Sequence, residues 1–151
     1  MKQLPACIAI VLCATITMAL TATAEARADD AVRCRVSVIH ATSVDEDEAR
    51  IDPALQPIAD YLRRSFGARY NAFRELDKHS MTLAHDKKQT RSLPDGRSLG
   101  LTYKGRQGEF RLIFMELPHL KTTVKVRDGG LFFQAGQSFK GGILILAIHA
   151  G

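Results

Sequence analysis

Apolar and polar residues alternate in the last third of the chain. Between residues 122 and 127, every second residue is threonine or valine, and the residues between them are polar. This period of two predicts a half-buried β-strand. Asp128-Gly129-Gly130 then interrupts the pattern. Because glycine accepts positive φ without a Cβ clash, we expect a tight turn at this point.

The run at residues 143–148 is apolar at every position and follows a break at Gly141-Gly142. A strand that is covered on both faces has this composition, whereas a half-buried strand alternates. We therefore predict that residues 143–148 form the central strand of the hydrophobic core.

Shorter alternating or apolar stretches predict the remaining strands, which lie at residues 33–40, 70–84, 99–104, 110–115 and from residue 131 onward. Phe73 and Leu76 fall at opposite parity, so residues 70–84 form either two strands or one strand with a β-bulge near Asp77-Lys78. Residues 85–89 are polar and predict a turn, as does Leu93-Pro94-Asp95-Gly96, where proline fixes φ and glycine accepts the left-handed conformation.

One helix is predicted after residue 52. Asp52 is an N-cap residue and Pro53 suits the first helical position. An apolar stripe at helical spacing follows, formed by Leu55, Ile58, Ala59, Leu62 and Phe66. Pro57 removes a backbone donor, so we expect the regular helix to begin near Gln56, and Gly67 is a suitable residue to end it.

These elements indicate a mainly β (α+β) fold in a single domain. We predict an antiparallel β-sandwich or partly closed barrel of about seven or eight strands with one packed helix. No repeat of fixed period and no internal linker divides the chain.

The N-terminus has the composition of a secretory signal peptide over residues 1–28. Lys2 precedes an uncharged apolar stretch at residues 6–22, and Ala26-Arg27-Ala28 matches the small-x-small cleavage pattern. The alternative, a retained membrane anchor, would need about 20 apolar residues to span a bilayer. We therefore predict cleavage after Ala28, a β-rich domain at residues 29–151 without a transmembrane span, and export to the periplasm, the outer envelope or the medium.

The chain carries a net charge of +5, and loss of the predicted signal peptide would leave +4. This mild excess permits contact with an acidic envelope protein or another anionic envelope component. It is well below the charge density of a dedicated nucleic-acid-binding protein, so we expect no nucleic-acid partner. The oligomeric state stays open.

Candidate chemistry is sparse. The chain contains none of the nucleophile-elbow, P-loop or zinc-protease motifs, its histidines lack ligand spacing, and we predict no catalytic residue, metal or cofactor. Cys34 is the one cysteine left after cleavage and shares a strand face with Val36 and Val38. We therefore expect a buried, unreactive thiol rather than a nucleophile, a metal ligand or an intermolecular disulfide.

The strongest candidate surface is a row of positive charges. If Val124 and Val126 face the core, Lys121, Lys125 and Arg127 share the opposite face of one strand, and Arg111 could join them from a neighbouring strand. One interpretation is that this row docks an acidic partner or an anionic envelope component. The alternative is that it keeps an edge strand soluble and prevents that strand from pairing with another chain.

The segment from Thr122 through Asp128-Gly129-Gly130 to the Gly-Gly-Ile-Leu-Ile-Leu run at residues 141–146 resembles the β-rich region of outer-membrane secretins. The whole chain is also similar to small secreted proteins of Gram-negative bacteria, which implies an envelope location and no particular activity. We expect an exported, non-enzymatic binding or assembly module of the cell envelope. The alternative is a small periplasmic enzyme or ligand carrier that uses a sheet face or barrel mouth.

Overall fold

The computed structural model describes residues 31–151, and the predicted cleavage site after Ala28 lies outside this range. The strands are β1 (Ala31–Thr42), β2 (Ala72–Ala84), β3 (Lys88–Ser92), β4 (Ser98–Gln107), β5 (Phe110–Leu117), β6 (Leu120–Arg127), β7 (Gly130–Phe139) and β8 (Gly142–Ala150). Short 3-10 segments at Glu46–Glu48 and Pro53–Ile58 precede one α-helix, α1 (Ala59–Phe66).

The strands form two four-stranded antiparallel sheets. Sheet I has the order β2-β1-β8-β7 and sheet II the order β3-β4-β5-β6. The sheets are not closed into a barrel but pack as a sandwich with one helix, which confirms the predicted mainly β fold. No helix within residues 31–151 is long and apolar enough to cross a membrane.

The main hydrophobic core lies between the two sheets. Sheet I contributes alternate residues of β1 and β8, and sheet II contributes Leu99, Leu101, Tyr103, Ile113 and Met115. A second, smaller cluster lies on the outer side of sheet I, where Leu55 and Leu62 cover Ile145 and Ala147. Strand β8 therefore contacts both clusters, which explains its continuous apolar run and confirms that it is a central strand.

The helix begins later than the sequence predicts. The Asp52 carboxylate accepts a hydrogen bond from the Ala54 backbone N–H at 3.0 Å, so the predicted cap is present. However, a 3-10 segment follows it, and the α-helix starts at Ala59 rather than near Gln56. Pro57 has no N–H to donate to an α-helical hydrogen bond, and the chain becomes α-helical only beyond this residue.

Two details of the strands differ from, or refine, the sequence prediction. Residues 70–84 contain one long strand whose pairing with β1 shifts between Val38 and Ile39, which places the bulge at Leu76, beside the predicted position. The prediction of a turn over residues 85–89 is partly wrong, because β3 begins at Lys88. This edge strand is short and polar, so it has no hydrophobic alternation that could reveal it.

Candidate functional site

Three of the predicted basic residues lie together on the outer face of sheet II. Lys121, Lys125 and Arg127 are exposed on β6, an edge strand, and we call them the basic stripe. Val126 is buried in the core on the opposite side of the strand, as expected from the alternation. The prediction that these three charges share one outward face is therefore confirmed.

Two residues of the basic stripe form surface ion pairs. Lys121 Nζ lies 3.8 Å from a carboxylate oxygen of Glu116, and Arg127 Nη2 lies 3.0 Å from Glu109. Lys125 has no ion pair or hydrogen bond within residues 31–151. A hydrogen bond from Lys88 lowers the pKa of Glu116, so this carboxylate is ionised and offsets part of the local positive charge.

An apolar column runs beside the basic stripe on the same outer face. It consists of Phe110, Leu112 and Phe114 of β5, which pair with Arg127, Lys125 and Thr123 of β6. All three side chains are half-buried and belong to neither hydrophobic cluster. The Arg127 guanidinium lies 5.5 Å from the centre of the Phe110 ring, so it covers the end of the column. Because Phe110, Leu112 and Phe114 alternate with Ile113 and Met115, the sequence already indicated apolar residues on both faces of β5, but not that one of these faces lies outside the core.

The structure separates Arg111 from the basic stripe. Arg111 pairs with Val126 and therefore lies on the inner face of sheet II, where its side chain is mostly buried. Its guanidinium forms an ion pair with Asp128, which also lies 3.1 Å from Arg106. Hydrogen bonding from Arg111 lowers the pKa of Asp128. Arg111 thus fixes the β6–β7 turn that connects the two sheets.

A second basic surface, which was not singled out in the sequence, lies on the outer face of sheet I. Helix α1 and the preceding 3-10 segment cover only part of this face, and a groove of about 440 Å³ lies beside them. Arg35 and Ser37 of β1, Lys78 of β2 and His149 of β8 line its floor, and we call this cleft the basic groove. These residues come from three strands that are adjacent in space but far apart in sequence, so no local pattern indicates the site.

The basic side chains of the basic groove have no acidic partner within residues 31–151. No aspartate or glutamate lines the cleft, and Arg35, Lys78 and His149 form no side-chain hydrogen bond or ion pair within the described part of the chain. The strand register places Arg35 directly opposite His149, and Lys78 directly opposite Ser37. Residues directly opposite in antiparallel strands have Cβ atoms about 5 Å apart, and diagonal neighbours are about 7–8 Å apart. All four polar side chains are therefore close enough to contact one small ligand.

The other candidate groups occupy structural positions. Cys34 is fully buried between the sheets, as predicted, and burial raises the pKa of its thiol from 9.0 to about 11. His40 Nε2 is 3.0 Å from the Phe139 carbonyl oxygen, to which it donates a hydrogen bond. Within residues 31–151, no group of three histidine, cysteine or acidic residues is placed to hold a metal ion.

Comparison of the chain with protein-family models, with curated proteins and with solved structures found no match.

Proposed function

We propose that the chain is an exported, non-enzymatic binding module of the cell envelope, and that the outer face of sheet II binds an acidic protein partner. The observation that supports this proposal is the position of the basic stripe beside a half-buried apolar column, which belongs to neither hydrophobic cluster of residues 31–151. Export follows from the signal-peptide pattern of residues 1–28.

The composition of this face favours a protein partner. Protein interfaces have an apolar, aromatic centre that excludes water and a polar rim that selects the partner by charge. Phe110, Leu112 and Phe114 supply such a centre, and the basic stripe lies along one side of it. Lys125 pairs with Leu112 across the two strands and has no carboxylate partner within the described residues, so an incoming acidic side chain can bind it without displacing an internal ion pair.

The proposal is tested by charge reversal. We would replace all three residues of the basic stripe with glutamate and measure binding to polyglutamate peptide and to vesicles that contain anionic phospholipid. As a matched control, Arg64, Arg69 and Lys87, which are exposed elsewhere on the domain, would be replaced in the same way.

We expect the unmodified protein and the control variant to bind the peptide. This binding should weaken as the salt concentration rises, because charges more than about 10 Å apart are largely screened at about 0.1 M salt. The basic-stripe variant should lose this binding. Equal binding by both variants would show that the peptide recognises net charge alone. Binding to vesicles without binding to peptide would assign the face to a lipid surface and overturn the proposal.

Export has its own test. N-terminal sequencing of the protein recovered from the periplasm or medium should start at Asp29. Recovery of soluble exported protein that still begins at Met1 would contradict cleavage.

The second candidate function, a ligand carrier that uses a sheet face, is supported by one observation. This is the basic groove on sheet I, with its apolar wall and with Arg35 and Lys78, which form no ion pair within residues 31–151.

A further inference from the structure

We propose that the basic groove binds a small anionic amphiphile, in which a carboxylate or phosphate monoester is joined to a short apolar group. The proposal concerns a different sheet from the basic stripe, so either proposal can fail without the other. Clefts that bind small molecules commonly have volumes of about 300–1,000 Å³. The groove, at about 440 Å³, falls within this range.

The floor of the groove suits the anionic end of such a ligand. Arg35, Lys78 and His149 approach from three neighbouring strands, and Ser37 lies directly opposite Lys78. An arginine guanidinium can donate two parallel hydrogen bonds to a carboxylate or phosphate, and such charge-assisted bonds are shorter and stronger than neutral ones. Arg35 and Lys78 are diagonal neighbours on β1 and β2, so their positive charges lie close enough to repel, and a bound anion would relieve this repulsion.

The wall of the groove suits the apolar end. Pro57 and Ile58 of the 3-10 segment and Tyr61 of α1 form one side, and Leu131 and Ala147 of sheet I form the other. Tyr61 is 52% exposed, more than any other large hydrophobic side chain within residues 31–151. A ligand tail that lies against the Tyr61 ring would remove this apolar surface from water, which favours binding.

The two ends together select the ligand class. A simple inorganic anion would contact the cations but leave the apolar wall in water. A neutral hydrocarbon would contact the wall but leave the cations without a partner. A ligand with both parts gains from both, so we expect it to bind more tightly than either part alone.

The experiment uses hexyl phosphate and hexanoate as probes, with inorganic phosphate and hexanol as the separate halves, and titration calorimetry as the measurement. We expect hexyl phosphate or hexanoate to bind at least about tenfold more tightly than inorganic phosphate or hexanol, a difference of about 1.4 kcal/mol. The stronger of the two probes identifies the headgroup as phosphate or carboxylate.

Variants of the groove residues test whether the probes bind in the basic groove. Replacement of Arg35 and Lys78 with glutamine should weaken binding of the better probe by more than about tenfold. The matched control, Arg69→Gln with Lys87→Gln, removes the same charge from exposed positions outside the groove and should leave binding unchanged. Tyr61→Ala should weaken binding of the hexyl compounds and leave any inorganic phosphate binding unchanged. Thermal melts of all variants should match the unmodified protein, because every replaced side chain is exposed.

Three results would overturn the proposal. The first is that neither hexyl compound binds. The second is equal binding by the Arg35/Lys78 variant and its control. The third is displacement of hexyl phosphate by polyglutamate peptide, which would assign the groove to an acidic polypeptide instead.

Discussion

The two sheets of the sandwich share one core, yet their outer faces differ. The outer face of sheet I is partly covered by α1 and the preceding 3-10 segment, which leave a groove with unpaired cations. Within residues 31–151, no helix covers the outer face of sheet II. Its apolar column lies beside a basic stripe that Glu116 and Glu109 partly neutralise. A groove with converging side chains suits a small ligand, and an open face with an apolar centre suits a protein.

The difference shows how one fold can present two kinds of positive surface. On β6, alternation along a single strand places the charges in a row. In the basic groove, the charges meet because antiparallel pairing brings β2, β1 and β8 side by side. The basic stripe has three lysine or arginine residues, and the basic groove has Arg35, Lys78 and a histidine. The two surfaces differ in their ion pairs, in the presence of a groove and in their apolar surroundings.

The largest expected effect is on the rate at which a thiol reagent labels Cys34, which lies in the core that both sheets share. Cys34 is fully buried, and burial raises its pKa to about 11, so little thiolate forms and reagents cannot reach it. Labelling in native buffer should be slower than in denaturant by a factor of about a thousand or more, since it requires opening of the domain. The measurement is reaction with a thiol reagent followed by mass spectrometry. Rapid stoichiometric labelling of folded protein would show that the sheets separate easily.

The covered and uncovered faces should differ in their contribution to stability. Leu62 of α1 is fully buried against sheet I, so Leu62→Ala should lower the free energy of unfolding by about 2–5 kcal/mol. Leu112 in the apolar column is half-exposed and outside both clusters, so Leu112→Ala should cost about 1 kcal/mol or less. Urea denaturation of both variants measures the two values. Equal losses would mean that the apolar column of sheet II is part of the core.

The turn that connects the sheets should stabilise the fold in a pH-dependent way. Because Arg111 lowers the pKa of Asp128 from its ordinary value of 3.8, the folded state favours the carboxylate. This stabilisation is present above the unfolded pKa and is lost as the pH falls through the lower folded pKa.

Asp128→Asn should therefore lower the melting temperature slightly near pH 7, and the difference from the unmodified protein should shrink in acid. Thermal melts across this pH range measure it, and Asp47→Asn, on an exposed 3-10 segment, controls for the loss of one charge. A difference that stays constant down to low pH would exclude an ionic role for Asp128.

The smallest expected effect is that of the basic stripe on stability. Exposed ion pairs contribute about 0–1 kcal/mol each, so replacing Lys121, Lys125 and Arg127 with glutamate should shift the melting temperature little. Differential scanning calorimetry measures this shift. A large loss of stability would mean that the stripe holds the edge strand in place, and its effect on partner binding would then need a separate explanation.

The sequence predicted those elements whose patterns are local. The apolar run of β8, the cap at Asp52 and the alternation of β6 each depend on neighbouring residues, and each lies where it was predicted. The polar edge strand β3 could not be predicted, because its pairing with β4 leaves no hydrophobic signal in the sequence.

The candidate sites were likewise predicted only where they depend on a local pattern of residues. The basic stripe lies on one strand, so alternation was sufficient to predict its shared face. Arg111 was predicted to join the basic stripe because of its charge alone. The register of β5 against β6 instead places Arg111 opposite Val126, on the inner side of the sheet. The basic groove depends on the register of three strands and on where α1 packs, and neither is encoded in a local pattern.

The most direct test of the central claim, that the two outer faces bind different partners, is an NMR titration of isotopically labelled protein with two probes. Polyglutamate peptide should shift backbone signals of Leu112 and Lys125, and hexyl phosphate should shift those of Ser37 and His149, with little overlap between the two sets. If both probes shift the same set of residues, the protein has one general anion-binding surface, and the account of two distinct faces is contradicted.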